Sequence, residues 1–189
     1  MAIDPPDTEP PQITPFYTEV GRAIAAWSEV EAQLAWLFVA LSSIKDRNLA
    51  FTIFDAVISF EARIKICSEL LEYLALKDEN KVIGLKILRY TLKQYKKRHE
   101  LAHFAVTDSY GQISISPFFS ETKFRKTQTV IGLTQRDIRQ RGDRFVDLAH
   151  SIEWLRRRIR PRIQPGRAPK LPIPGLIARL QSQDTMSGN

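Results

Sequence analysis

Residues 17–45 read YTEVGRAIAAWSEVEAQLAWLFVALSSIK, and this stretch decides the fold class. Val20, Ile24, Trp27, Leu34, Phe38 and Leu41 recur at helical spacing, so one face of a single long helix is apolar and needs partners to bury it. The rest of the chain supplies them. A shorter helix is expected over residues 48–57, and a third after Ser59, whose hydroxyl suits an N-cap. A fourth is expected after Asn80, with Leu85, Leu88, Leu92, Tyr95, His99 and Ala102 along one stripe. A last long helix starts at Thr134, with Asp137 as a capping-box partner, and runs through Ile138, Phe145, Leu148, Ile152, Leu155 and Ile159. Between the last two helices the period changes. Residues 106–116 carry the turn signal Asp108-Ser109-Tyr110-Gly111 followed by alternation, and residues 122–133 are rich in threonine and branched side chains. The expected architecture is mainly all-α: a helical bundle of about five helices, a small β-hairpin insertion at about 104–133, and extended proline-rich termini.

With 189 residues and 43% hydrophobic composition, the chain has enough apolar surface for one core. Its prolines mark the edges of that core. Of the 11, only Pro117 lies outside the two terminal groups, Pro5, Pro6, Pro10, Pro11 and Pro15, then Pro161, Pro165, Pro169, Pro172 and Pro174. Because proline breaks helices, residues 1–13 and 161–189 are expected to be a disordered segment and a basic tail around a folded unit at 14–160. The start lacks the basic and apolar regions of a signal peptide, and the longest apolar run, about 32–41, is short for a bilayer, so a cytoplasmic protein without a membrane partner is expected. The single cysteine, Cys67, lies on the stripe Phe60, Ile64, Cys67, Leu71, Leu74 and reads as a buried structural thiol.

Chemistry concentrates in Arg98-His99-Glu100-Leu101-Ala102-His103. Arginine is a permanent fork-shaped cation and histidine changes protonation near neutral pH, so the block offers an anion clamp and a proton carrier at a helix end. That pair is the minimum for phosphodiester chemistry without a metal. A helix turns about 100° per residue, which sets Arg98 and His103 about 140° apart and leaves the site unassembled on one helix. His99 lies on the apolar stripe and also suits a core histidine. A cationic helix terminus is favoured electrostatically whether or not it acts on anything.

The block resembles the RxxxxH motif of HEPN domains (higher eukaryotes and prokaryotes nucleotide-binding), helical bundles in which the arginine is typically followed by Asn, Asp or His. The pattern Trp27, Val30, Glu31, Leu34 in the first long helix, with Phe60 and Lys65 in a later one, is similar to a bacterial branch of these proteins, and the resemblance covers roughly residues 17–106. It implies a HEPN-like fold and metal-independent endoribonuclease cleavage by 2′-hydroxyl attack, at a composite site where two motifs face each other across a homodimer. His103 would move the proton, Arg98 hold the phosphate and His99 assist. A toxin or defence effector with a cognate inhibitor or antitoxin would fit. Some HEPN toxins carry a modified tyrosine two positions beyond the histidine; Ala105 stands there, so that control is not expected.

Glu31 interrupts the apolar stripe between Trp27 and Leu34, and a carboxylate on a core-facing position needs a partner. Two readings stay open: Glu31 orients Arg98, or it forms a structural ion pair with Arg63 or Lys65. Residues 151–170 hold seven cations against Glu153, a net +6 of the chain's +7. Arg156, Arg157, Arg158, Arg160 and Arg162 are therefore candidate RNA contacts beside Trp154, and Lys93, Lys96 and Lys97 are a second set leading into the motif. A solvated tail or an arm embracing a partner subunit explains the first set equally well. No cofactor motif is present, and His99 with His103 lacks an evident third metal ligand, so neither cofactor nor metal is expected. His150, beside Asp147, suits core, cap or ligand. The alternative to a nuclease is a noncatalytic helical module binding RNA or a protein partner through its basic arm.

Overall fold

The structure, a computed structural model, describes residues 13–74, 78–109, 112–117, 132–159 and 173–186. It is mostly helical, as expected. Helix α1 spans Ile13–Ser42, α2 Arg47–Ala56, α3 Phe60–Tyr73, α4 Asp78–His103, α5 Gln135–Ile159 and α6 Gly175–Met186. Two short antiparallel strands, β1 Phe104–Ser109 and β2 Gln112–Pro117, follow α4 directly, with Phe104 opposite Pro117 and Ser109 opposite Gln112. The stretch 122–131 expected to add a strand, and Arg160 and Arg162, lie outside the described residues.

Local chemistry sets the helix starts. Asp46 accepts from the Asn48 and Leu49 amides at the head of α2, and Ser59 accepts from the Ala62 amide at the head of α3. Thr134 and Asp137 form the reciprocal capping box: the Thr134 amide donates to Asp137 at 2.9 Å and the Asp137 amide donates to the Thr134 hydroxyl at 3.2 Å. Helix α4 begins at Asp78, ahead of the expected Asn80 cap. Ser43, just past α1, takes the left-handed conformation at φ 56°, which turns the chain toward α2.

Helices α1 and α5 form the longest seam. Glu19 meets Arg139, Ala23 faces Gly142, and Arg156 lies near Trp36, so the two run parallel with a constant offset in sequence. At Gly142 a Cβ would sit 3.4 Å from the Ala23 Cα, so small residues let the axes approach closely. Helix α4 runs antiparallel to α5, since Arg141 reaches Glu100 while Leu155 packs on Gly84. The core is centred on Trp27, whose ring lies 5.3 Å from Phe60, 6.1 Å from Tyr95 and 5.2 Å from Phe145, joining α1, α3, α4 and α5. By length and composition α1 is also apolar enough to cross a membrane, which the run 32–41 alone understates; core helices share that property. Here its Trp27, Val30, Leu34, Leu37 and Leu41 are buried in the bundle.

Two details differ from the sequence reading. The tail expected at 161–189 contains α6, whose Leu176 and Ile177 are buried against the body and whose Arg179 pairs with Asp147 at 2.7 Å. Proline-free spacing of Leu176, Ile177 and Leu180 after Pro174 allows that helix, and the Ala178 amide donates to the Pro174 carbonyl. The second difference is the face of α4. Of the expected stripe, Leu88 is fully buried and Tyr95 packs on Trp27 and Phe60. The buried line continues, however, through Gly84, Ile87, Thr91, Gln94 and Leu101, with Arg98 half-buried beside it, while Leu85 and Leu92 are half-buried and His99 and Ala102 are exposed. Thr91 escapes the cost of burial because its hydroxyl donates to the Ile87 carbonyl at 2.8 Å.

Truncating Trp27 to Ala should destabilise the fold by about 3–5 kcal/mol in urea denaturation, since it empties a junction of four helices. Glu19 is held below the ordinary carboxylate range chiefly by the hydrogen bond from Arg139, and Asp137 chiefly by the Thr134 hydroxyl. A carboxyl depressed in the folded state stabilises fully above its unfolded pKa and loses that contribution as pH falls through the folded one. Stability should therefore decline as pH drops below the ordinary values of 4.5 and 3.8, and Glu19→Gln should flatten that acid limb while lowering stability at neutral pH.

Candidate functional site

The C-terminal turns of α4 carry the Arg/His block. Arg98 sits at the centre of the inward face, only half-buried overall, with its Nε shielded and without a hydrogen-bond partner. His99 and His103 stand one turn apart on the exposed face, ring centroids 4.1 Å apart. The helix thus separates Arg98 from His103, as its geometry requires, and within one chain no hydrogen bond or ion pair joins them. The core-histidine reading of His99 does not hold, because the inward line passes through Arg98 instead.

Glu31 does not orient Arg98 in this chain. Its carboxylate accepts from the Trp27 indole nitrogen at 2.7 Å, one turn back on α1, and no described ion pair involves it. Nor is Arg63 its partner: Arg63 donates to the Val57 and Asp55 carbonyls and lies over the Phe54 ring, closing the end of α2. Lys65 is exposed. A buried indole N–H needs an acceptor, and that need accounts for a carboxylate on the inner side of α1.

Arg141 is a residue the sequence reading missed. It donates to Glu100 at 2.7 Å and to the Lys97 carbonyl at 3.3 Å, while Lys97 reaches Glu100 from the other side at 3.1 Å. With only 12% of its side chain exposed, Arg141 fastens the end of α4 to α5. The signal was present as an arginine nearly two turns into a helix, but its partner lies 41 residues away and no local rule supplies that register.

The exposed side of α4 forms a cationic line through Arg89, Lys93 and Lys96 that ends at His99 and His103. From Arg89 to His103 it extends about 21 Å at 1.5 Å per residue. Only the later part was anticipated; Arg89 completes it, while Lys86 is half-buried. Lys97 belongs to the Glu100 network rather than to this line. The other basic set occupies the far end of the bundle. Arg158 stacks over Trp154 at 4.4 Å and approaches Glu79 at the start of α4, Arg156 lies 5.9 Å from the Trp36 ring, and Arg157 is paired with Glu153. Because α4 and α5 are antiparallel, the end of α5 is about 25 Å from Arg141 and the RxxxxH turn.

Two concavities lie elsewhere. A cavity of about 380 Å³ between α5 and α6 is lined by Asp147, His150, Glu153 and Trp154, and one of about 280 Å³ flanks Glu19, Arg22 and Arg139. Neither includes Arg98 or His103. Cys67 is fully buried, and burial pushes its thiol up to about 12, which removes it as a nucleophile. Among the described residues no group of three or more His, Cys, Asp or Glu is arranged to hold a metal ion. No protein-family model, curated protein or solved structure matches the chain.

Replacing Arg141 by Ala should free the last turns of α4: amide exchange at residues 97–103 should accelerate, with a loss of about 1–3 kcal/mol in global stability for a charge-assisted hydrogen bond left unmade.

Proposed function

We propose that this chain is a metal-independent endoribonuclease of HEPN type that works as a homodimer on RNA. The reading takes α1–α5 as a HEPN-like bundle with residues 104–133 as a hairpin insertion. His103 accepts the proton of a ribose 2′-hydroxyl, the 2′-oxygen bonds to the adjacent phosphorus, the bond to the 5′-oxygen breaks, and the 5′-oxygen is protonated, leaving a cyclic phosphate. Arg98 stabilises the charge on the phosphoryl oxygens, with His99 beside the reacting group. The observation that carries this reading is the exposed line Arg89, Lys93, Lys96 leading to His99 and His103, because it joins a phosphate track to a proton carrier on one helix.

Arg98 needs a second contribution to meet His103's face, and a second copy is the source that the resemblance implies. Its shielded Nε has no hydrogen-bond partner among the described residues, which leaves that donor uncommitted there. Glu31 then acts on the site only by holding Trp27 in the core beside Tyr95 of α4. Roles as a toxin or defence effector, with a cognate inhibitor, extend the same reading.

The separation of Arg98 from His103, and the cation–aromatic pairs Arg158–Trp154 and Arg156–Trp36 at the other end, favour a second reading: a noncatalytic module that binds RNA or a protein partner through its basic end. Incubating the protein with varied RNAs in EDTA separates the two. Cleavage to cyclic-phosphate ends is expected, falling about 100-fold or more in Arg98→Ala and in His103→Ala. Cleavage that survives in both variants removes the assignment of the site, and RNA binding without cleavage by the wild type establishes the module.

A further inference from the structure

His99 and His103 have a property that the nuclease reading does not use. Both rings are exposed, their planes are tilted by 46° with centroids 4.1 Å apart, and neither makes a hydrogen bond or ion pair with the described residues. Their ring nitrogens are therefore not occupied by partners among the described residues. Residues at i and i+4 of a helix share a face, and the backbone fixes their spacing before any ligand arrives. Metal–nitrogen bonds of about 2.0–2.1 Å place two donors of one ion about 3 Å apart, a span that rings already in contact reach by side-chain rotation alone.

We propose that His99 and His103 form a two-histidine site for a borderline transition-metal dication of the Cu²⁺ and Zn²⁺ class, with water completing the coordination. Imidazole suits these ions, while Mg²⁺ and Ca²⁺ demand oxygen ligands, so the pair discriminates by donor type. The site is open because no third His, Cys, Asp or Glu is arranged around it among the described residues. The neighbouring charges moderate its affinity. Lys96, Lys97 and Arg98 oppose a cation, and Glu100, the carboxylate in this turn, is engaged by Lys97 and Arg141. Salt screens that repulsion, so binding should strengthen modestly with ionic strength, opposite to the salt response of RNA binding.

Ligation also clips the last turn of α4 to the turn before it, immediately ahead of β1. An ion there uses the lone pairs with which His103 would accept a proton. Silencing of cleavage by Cu²⁺ or Zn²⁺ rests on the ribonuclease reading; the site itself does not.

Calorimetric titration of the full-length, tag-free chain with Cu²⁺, Zn²⁺ and Mg²⁺, at neutral pH in a non-coordinating buffer without RNA, tests the site. Cu²⁺ should bind more tightly than Zn²⁺, and Mg²⁺ should show no binding. His99→Ala and His103→Ala should each weaken Cu²⁺ binding about tenfold or more, whereas His150→Ala should leave it unchanged. Both target rings are exposed, and circular dichroism verifies that each variant keeps its helices, with His99→Gln as a conservative second variant. Wild-type affinity in both histidine variants, or Cu²⁺ held no more tightly than Mg²⁺, overturns the proposal. Metal binding as expected, beside absence of RNA cleavage in EDTA, leaves the site standing and removes the ribonuclease reading alone.

Discussion

The indole of Trp27 touches Phe60, Tyr95 and Phe145 at once, and through them α1 is tied to α3, α4 and α5. A side chain that large, left 1% exposed, is accommodated only where its N–H has an acceptor, and Glu31 supplies it one turn along the same helix. The levels of α3, α4 and α5 relative to α1 meet at that junction. Toward one end the parallel α1–α5 seam is locked by Glu19, which accepts two hydrogen bonds from the Arg139 guanidinium. Toward the other, Gly84 admits Leu71 and Leu155 at distances a Cβ would crowd. The RxxxxH turn is placed by these constraints and by Arg141, not by contacts between its own members.

The helices were legible because their signals are local. A Thr-x-x-Asp box, a Ser N-cap and a run of apolar residues at helical spacing act within a few positions of the chain. The inward face of α4 was read only in part, through Leu88 and Tyr95, for a physical reason: Thr91 and Gln94 are buried polar residues and Arg98 is a half-buried one, and a pattern reading assigns polar residues to solvent. Hydrogen bonding within the helix at Thr91, and snorkelling of a long guanidinium stem at Arg98, make those positions tolerable. Helix α6 was hidden by the prolines before it, although its own residues obey the same periodic rule as the rest. The pairs Arg141–Glu100 and Arg139–Glu19 depend on register between distant helices, which no window along the sequence contains.

Of the proposed site, the identities of the residues were legible and their directions were not. Helix geometry already set Arg98 and His103 apart. What the fold adds is which of them faces the core, and the answer is the arginine. Of the two basic regions, one runs along α4 from Arg89 to the RxxxxH turn, and the other sits at the end of α5, beside the start of α4 where Arg158 approaches Glu79. A strand of RNA lying along α4 would reach His103 without involving the end of α5, so these clusters are separable surfaces.

The pairing of α1 with α5 has a consequence for how the protein is made. Glu19 and Arg139 are 120 residues apart, so the apolar face of α1 leaves the ribosome long before its principal partner exists. At roughly 5–20 residues per second, translation leaves that face without α5 for something like 6–24 seconds. During that interval α1 is a long apolar helix of the kind that chaperones and membrane-targeting factors bind. Its early carboxylates and arginine, Glu19, Arg22, Glu29 and Glu31, interrupt the apolar surface and keep the nascent helix from presenting an unbroken greasy cylinder. The same Glu31 that completes the core around Trp27 in the finished protein is thus, before there is any core, a charge on the exposed nascent helix.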